Sequence, residues 1–238
     1  MSGSAVPATR VFIHGWASSS GIWDPVIERI DGACMTMDLP GYTAEGIPGP
    51  VDLPDPCVLI GWSLGGLQAI TLAACLGSRV KALVLVAASP CFVQRADWAQ
   101  AMPAAVFDRF ARDLERDREA CLQHFMALQC LGDIHAVAVR NGLRAARPEP
   151  LPGGRILAQG LAQLADQDLR RELAGLPCPV HVILGERDSL IPAAQAGALE
   201  ALGKGIRTTV MPGAAHLPFL SDSRGFVERL AQGPAGDV

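Results

Sequence analysis

Short, continuous runs of apolar residues recur along the chain and define its predicted strands. Six such runs, rich in β-branched residues, cover residues 11–13, 33–37, 57–60, 83–87, 180–184 and 208–211. Because both faces of a parallel sheet are covered, its strands are apolar throughout rather than alternately apolar and polar. The pattern therefore predicts a buried parallel sheet.

Helical segments fill several of the intervals between these runs. Residues 22–30, 64–76, 193–202 and 225–231 are compatible with helices. Strands that alternate with helices predict an α/β fold, in which right-handed crossovers place helices on both faces of the sheet. We therefore expect a doubly wound, mainly parallel sheet.

Two regions interrupt this alternation. Between Pro40 and Pro56 the chain holds five prolines and three glycines, which predicts an irregular loop. Residues 97–168 contain no strand pattern, and apolar residues recur there at helical spacing on both sides of a Pro/Gly cluster at 148–154. We expect residues 1–96 and 169–238 to form the core, with residues 97–168 inserted over the sheet as a helical lid.

Composition and charge narrow the classes of function. Half of the residues are hydrophobic, 18% are charged and the net charge is −4, which excludes disorder and disfavours nucleic-acid binding. No apolar run approaches the roughly 20 residues of a membrane helix, and residues 1–10 lack the apolar core of a signal peptide. The seven cysteines form no CxxC pair, which favours buried free thiols in a reducing cytoplasm. We expect a soluble, cytoplasmic protein that binds neither nucleic acid nor membrane.

A serine motif supplies a candidate nucleophile. Residues 61–65 read Gly-Trp-Ser-Leu-Gly, which matches G-x-S-x-G between a predicted strand and a predicted helix. A serine on such a turn projects its hydroxyl above the sheet, and the following helix N-terminus favours negative charge there. Ser63 is therefore the predicted nucleophile. The alternative is a serine that only caps the helix.

A serine nucleophile needs a base, and the base needs an orienting carboxylate. Of the five histidines, His216 lies in a loop after the last predicted strand, at the sheet edge where open α/β folds form their sites. Asp188 follows the strand 180–184 and is the predicted acid, with Glu186 as the local alternative. The remaining histidines are expected to be structural or on a helix surface: His14, His124, His135 and His181.

Two backbone N–H groups are expected to form an oxyanion hole. One belongs to Leu64, directly after the nucleophile, and the other to Trp16, in the loop after the first strand. The Trp16 ring would also wall the acyl pocket, although an ordinary core aromatic is the alternative. The sequence contains no metal-ligand cluster, P-loop or dinucleotide motif, so no cofactor is expected.

These motifs resemble the α/β-hydrolase superfamily and, within it, esterases that act on acyl esters of an acyl-carrier protein in biotin synthesis. The similar segments lie within residues 11–230 and are 12–16, 38–41, 61–67, 88–92 with Trp98, 125–129, 160–161, 168–170 and 214–219. The resemblance implies an acyl-enzyme mechanism through Ser63, His216 and Asp188. It also implies substrate contacts by Trp16, Leu64, Phe125, Gln129 and His216.

The predicted lid offers two further features. Phe125, Met126 and Leu128 would form an apolar wall for a medium-length acyl chain. The lid arginines Arg140, Arg144 and Arg147 would bind an acidic carrier protein, although a solvated helix face is an equal alternative.

The sequence also departs from the family and leaves other functions open. The N-terminus is too short for the family's first antiparallel strands, the proline-rich loop replaces a helix, and Gln123 and His124 stand where arginines are expected. A general short-chain carboxylesterase or a lactonase of the same fold, acting on small-molecule esters, is the main alternative. A non-hydrolytic relative and a binding module without catalysis are the others. We expect a monomer.

Overall fold

The structure is a computed structural model, and it describes residues 7–40 and 52–236. One six-stranded sheet forms its centre, and the strands are β1 Thr9–Ile13, β2 Cys34–Met37, β3 Cys57–Trp62, β4 Val80–Val86, β5 Val180–Gly185 and β6 Ile206–Met211. Their spatial order is β2-β1-β3-β4-β5-β6, and all five pairings are parallel. The predicted six-stranded, doubly wound sheet is therefore confirmed.

The order of the strands reverses between β1 and β3. From β1 the chain crosses to β2 on one side, and all later strands add on the other side. In open α/β sheets, ligands bind outside the carboxyl ends of the strands at such a switch point. The loops that follow β1 and β3 contain Trp16 and Ser63, two of the predicted site residues.

Helices cover both faces of the sheet. The helices in the described residues are α1 Asp24–Ile27, α2 Leu64–Leu76, α3 Ala104–Arg116, α4 Arg118–Gln129, α5 Ala136–Ala145, α6 Gly154–Asp166, α7 Arg170–Ala174, α8 Ala196–Glu200, α9 Pro218–Ser221 and α10 Ser223–Gln232. The helix predicted at 64–76 is confirmed. The segments predicted at 22–30 and 193–202 each split into a 3₁₀ turn followed by a short α-helix.

Alternate residues of each strand pack into two separate hydrophobic layers. Val11 and Ile13 point to the layer that contains α2, whereas Phe12 between them packs with Trp23 on the opposite face. Both layers are fully buried at these positions. Continuous apolar runs are the sequence signature of this arrangement, because neither face of the central strands β3 and β5 reaches water, whereas the edge strands β2 and β6 are partly exposed.

The chain between β4 and β5 contains the helices α3 to α7, of which α3 to α6 lie within residues 97–168. Asp117 accepts a hydrogen bond from Ala120 N at 3.0 Å and caps the N-terminus of α4. The interval between α5 and α6 coincides with the Pro/Gly cluster at 148–154. Arg170 joins the two ends of this region by donating to Asp97 at 3.0 Å and to Asp168 at 2.6 Å.

Parts of two predictions fall outside the described residues. The irregular loop predicted between Pro40 and Pro56 lies mostly in residues 41–51, and the first six residues are also outside the description. Among residues 7–40 and 52–236, no helix is long and apolar enough to cross a membrane. Five of the cysteines in this part of the chain are buried and free.

Candidate active site

Ser63 lies at the sharp turn between β3 and α2. Its backbone has φ 54° and ψ −119°, a left-handed conformation that costs a non-glycine residue about 1–3 kcal/mol. A Cβ on Gly61 would collide with the carbonyl oxygen of Gly65, and a Cβ on Gly65 would collide with that of His14. The motif needs glycine at these positions because β3, α2 and the loop after β1 meet backbone to backbone.

His216 and Asp188 form a buried pair above the ends of β5 and β6. His216 Nδ1 lies 2.8 Å from Asp188 Oδ2, and both side chains are almost completely buried. The other carboxylate oxygen of Asp188 accepts hydrogen bonds from Leu190 N at 2.8 Å and Ile191 N at 3.0 Å. Because the Asp188 carboxylate is held from two sides, the orientation of the His216 ring is fixed.

The alternative acid, Glu186, contacts the same loop at another point. Its Oε2 accepts a hydrogen bond from Gly213 N at 2.8 Å, three residues before the histidine. Glu186 therefore holds the backbone of the loop, and Asp188 is the carboxylate that contacts the imidazole.

The second ring nitrogen of His216 remains available. His216 Nε2 is buried and has no hydrogen-bond partner among the described residues, so Ser63 Oγ and Nε2 are not hydrogen-bonded in this structure. Trp62, directly before Ser63, links the Ser63 turn to the His216 loop, because its Nε1 donates to the carbonyl of His216 at 2.9 Å. Catalytic hydrogen bonds are often long without substrate and shorten in its presence.

The other histidines lie outside this arrangement. His14 is buried and accepts a hydrogen bond from Leu39 N at 3.1 Å. His181 is buried beside Thr209, and burial lowers the pKa of its imidazole to about 4. His124 and His135 are exposed.

The five buried cysteines are poor nucleophiles in this fold. Burial raises the pKa of the Cys57, Cys91, Cys130 and Cys178 thiols, and raises that of Cys121 to about 11. Because the thiolate is the reactive form, these thiols are unreactive at neutral pH.

Of the two predicted oxyanion donors, Leu64 directly follows Ser63, and Trp16 lines the same cavity as Ser63. Leu64 is the first residue of α2, and the Leu64 N–H has no hydrogen-bond partner in the described part of the chain. The same holds for the backbone N–H of Trp16. The Trp16 indole N–H instead donates to the carbonyl of Leu157 at 2.8 Å, which fixes the ring beneath α6.

An apolar cavity of about 70 Å³ adjoins Ser63. It is lined by Trp16, Ser63, Phe92, Met102, Val106, Phe107, Phe110, Phe125, Leu128, Leu161, Leu164 and Leu190. The ring centroid of Trp16 lies 5.0 Å from that of Phe125 and 5.7 Å from that of Phe110. The helices α3, α4 and α6 thus close the cavity over the nucleophile.

The predicted substrate-contact residues of α4 are divided between two cavities. Phe125 and Leu128 line the cavity at Ser63, whereas Met126 and Gln129 line a smaller one of about 40 Å³ on the other side of Phe125. Sequence reasoning missed most of the wall contributed by other elements, such as Phe92 and Leu190. Only the spacing of Val106 and Phe110 along the predicted helix indicated that another element contributes to this wall.

The predicted docking arginines differ in their surroundings. Arg147 forms an ion pair with Glu119, with Nη2 2.9 Å from Oε2, and lines the smaller cavity. Arg140 and Arg144 are exposed on α5 and form no ion pair within the described ranges. Of the three predicted docking arginines, the two on α5 are therefore the more exposed.

A strained serine on a strand-to-helix turn, followed along the chain by an aspartate and then by a buried histidine that contacts it, is the arrangement of an α/β-type hydrolase. Residues 11–229 match the model of the alpha/beta hydrolase family, and the chain belongs to this family. An esterase from Exiguobacterium antarcticum superimposes with a TM-score of 0.80 over 94% of this chain and 91% of its own, at 21% identity. At this identity the likeness shows the fold alone, as does that to a bromoperoxidase from Bacillus anthracis (TM-score 0.76, 18% identity, 95% of this chain and 91% of the other).

Closer sequence relatives are esterases. The chain is 38% identical over 227 residues to the pimeloyl-[acyl-carrier protein] methyl ester esterase of Xylella fastidiosa strain M12, covering 89% of each chain. The enzyme of the same name from Xanthomonas oryzae pv. oryzae strain MAFF 311018 is 38% identical over 226 residues, covering 88% of each. The chain is a carboxylic ester hydrolase of this family.

Proposed function

We propose that the chain hydrolyses the methyl ester of a pimeloyl group bound to an acyl-carrier protein, a step that prepares a precursor of biotin. The support is the 38% identity, over 89% of the chain, to enzymes of that name. A carrier-bound substrate of this kind implies a cytoplasmic enzyme.

The chemical step is acyl transfer through Ser63. Its hydroxyl loses a proton to His216 Nε2 and attacks the ester carbonyl, and the imidazolium then protonates the departing methoxide, which leaves as methanol. Water deprotonated by the same nitrogen hydrolyses the acyl-enzyme, which releases the carboxylic acid and restores Ser63. The observation that supports this best is the 2.8 Å contact between His216 and Asp188, because it leaves the buried Nε2 free for the proton.

Two backbone donors would stabilise the tetrahedral intermediate. Its oxyanion would accept hydrogen bonds from the N–H groups of Leu64 and Trp16, whose lack of other partners in the described residues supports this role. The donors are set in place by the backbone, so they need no reorganisation during the reaction.

The helical region would act as a lid over the core. In this proposal residues 97–168 form the lid and residues 1–96 and 169–238 form the hydrolase core, which acts as a monomer. Phe125 and Leu128 contact the methylene groups of the acyl chain in the cavity at Ser63, and Met126 and Gln129, which line the cavity on the other side of Phe125, contact its far end. Each buried methylene contributes about 0.8 kcal/mol.

Carrier proteins are acidic, and the proposed lid has arginine side chains that would bind them electrostatically. Arg140 and Arg144 would bind the carrier, with Arg147 as a weaker contributor because Glu119 already neutralises it. Such exposed contacts act mainly on the rate of encounter and are screened by salt, with a Debye length of about 8 Å at physiological ionic strength.

A general short-chain carboxylesterase is the second candidate function. The cavity at Ser63, at about 70 Å³, is well below the roughly 300–1,000 Å³ of typical ligand sites. A small acyl group would fill it without any movement of the helices above.

One comparison separates the two candidates. The kcat/KM of the purified protein is measured with pimeloyl methyl ester on the carrier protein, with free dimethyl pimelate and with methyl acetate, at low and high salt. The proposal predicts that the carrier-bound ester is preferred and that salt reduces this preference. Equal rates for carrier-bound and free esters at both salt concentrations would favour the short-chain carboxylesterase.

A further inference from the structure

The loop that contains His216 is held from two directions. On the core side, Glu186 accepts from Gly213 N, the Arg187 N–H donates to the carbonyl of Ala214 at 2.9 Å, and Trp62 donates to the carbonyl of His216. These contacts come from β3 and the loop after β5. Contacts of this kind are common wherever a loop packs on the end of a sheet, so they do not set this loop apart.

The other half of the contacts comes from the region between α4 and α5. The carbonyl of Gln129, the last residue of α4, accepts from His216 N at 3.3 Å. The Ile134 N–H donates to the carbonyl of Gly213 at 3.1 Å. Asp133 Oδ2 accepts from Ala215 N at 2.7 Å, directly before the histidine.

Asp133 is the side chain at the centre of this second set. The residue is only 7% exposed, and its other oxygen accepts from His135 N at 2.7 Å and from Ser221 Oγ at 2.9 Å. Three donors thus converge on one buried carboxylate, which links the loop between α4 and α5, the His216 loop and α9. No sequence motif contains Asp133, and the triad itself does not use it.

We propose that Asp133 is a positioning residue for His216, and that it couples the helices over the active site to the general base. This proposal rests on the proposed function of His216. Helix α4 ends four residues before Asp133 and has Phe125 and Leu128 in the cavity wall. If an acyl chain moves this wall, the movement reaches the His216 loop through two hydrogen bonds. Asp133 holds the Ala215 N–H, and the Gln129 carbonyl holds the His216 N–H.

The chemistry of the carboxylate suggests the test. In Asp133→Asn the side chain keeps its volume, but one acceptor oxygen becomes an NH₂ donor. In either orientation of the amide, the N–H of Ala215 or of His135 then faces another donor, and an unsatisfied buried donor is costly. The loop is expected to shift, which moves His216 relative to Ser63 and Asp188.

The experiment measures kcat and KM of Asp133→Asn with a free methyl ester, per active site titrated with a fluorophosphonate, together with the thermal midpoint. We expect kcat per titrated site to fall about 10- to 100-fold and KM to change less than threefold. Ser221→Ala is the matched control: it removes one donor to Asp133 but leaves Ala215 N paired, and it should lose less than threefold in kcat. A residue with a purely structural role would lower the thermal midpoint and the number of titratable sites, but not the rate per site.

The outcomes distinguish this proposal from the proposed function. An active wild type, an inactive Ser63→Ala and an unchanged rate per site in Asp133→Asn would overturn only the role of Asp133. Absence of ester hydrolysis by the wild type would overturn the function itself. If both Asp133→Asn and the smaller Asp133→Ser fail to fold, the positioning role is also overturned, because such a residue leaves the fold intact.

Discussion

The carboxyl edge of the sheet and the helices above it are packed in different ways. At the sheet edge a Cβ on Gly65 would meet the carbonyl oxygen of His14, and a Cβ on Gly185 would meet that of Ala215. Where the helices between β4 and β5 touch the core, the close neighbours are side chains: a Cβ on Gly160 would lie 2.6 Å from Trp16 Cδ1. Side chains can rotate away, whereas packed backbone cannot.

This difference in packing separates the residues of the proposed chemistry from the residues that line the cavity. The residues that perform the proposed chemistry, Ser63, Asp188 and His216, lie on loops fixed by backbone contacts. The residues that line the cavity at Ser63, such as Phe125 and Leu128, lie on helices, and the ring of Phe125 contacts the core through the side chain of Trp16. We infer that the chemical geometry is the more rigid of the two and that the wall above it adapts to the substrate, with the contacts of Gln129 and Asp133 to the His216 loop as the link between them.

The largest expected effect concerns the two carboxylates at the end of β5. Asp188→Asn removes the acceptor that orients His216 Nδ1, and kcat should fall by about 10⁴, as for other triads. Glu186→Gln keeps an acceptor for Gly213 N and should lose less than about tenfold, since a neutral hydrogen bond contributes roughly 1 kcal/mol. Steady-state kinetics of the two variants measures the ratio. Similar losses in both would show that the acid is wrongly assigned.

The close backbone packing at the sheet edge is tested by comparing two glycine-to-alanine substitutions, one at this edge and one at an open position of α6. Gly185→Ala introduces a methyl group against the Ala215 carbonyl and should destabilise the protein by about 1–3 kcal/mol or more. Gly154→Ala, at the start of α6 with no neighbour within 4 Å of its Cβ position, should be neutral or stabilising by up to about 1 kcal/mol. Urea unfolding of both variants provides the free energies. Equal destabilisation would remove the contrast between the two regions.

A smaller effect is expected at the cavity wall. Phe125→Ala removes an aromatic ring that packs against Trp16, and kcat/KM for the pimeloyl ester should fall about 10- to 100-fold, the equivalent of 1.4–2.8 kcal/mol. Methyl acetate, which does not reach the ring, should lose less than about threefold. His124→Ala, at an exposed position of the same helix, is the control. Equal losses for the long and the short ester would mean that Phe125 does not contact the chain.

The smallest effect is expected at the surface arginines. Arg140→Glu combined with Arg144→Glu should reduce kcat/KM for the carrier-bound ester about three- to tenfold at low salt, and leave the free ester unchanged. Arg207→Glu combined with Arg224→Glu, which alters the net charge equally on β6 and α10, is the control. If the control pair reduces the carrier-bound rate to the same extent, the effect comes from net charge alone.

The sequence predicted the sheet well because its signals are local. All six strands were found, and their ends moved by at most three residues, since buried parallel strands are continuous apolar runs. The Ser63 turn was equally accessible, because a strand, two glycines and a helix surround it. The predicted acid also follows its strand directly.

What sequence reasoning could not find depends on contacts between distant segments. Asp133 lies 82 residues from Ala215, and no spacing rule links the two. Met126 was grouped with Phe125 and Leu128 as one apolar wall, but it faces the second cavity because it points to another side of α4. Such contacts follow from how helices pack on the sheet, which local patterns do not encode.

The central claim is that Ser63 forms the acyl-enzyme, and Ser63→Ala tests it most directly. The measurement is kcat for the carrier-bound pimeloyl methyl ester, with circular dichroism and the thermal midpoint to verify the fold. Alanine retains the Cβ and the backbone at Ser63, so the account predicts an intact fold and a loss in kcat of about 10⁴–10⁶. A folded Ser63→Ala protein that keeps its turnover within tenfold of the wild type would contradict the account.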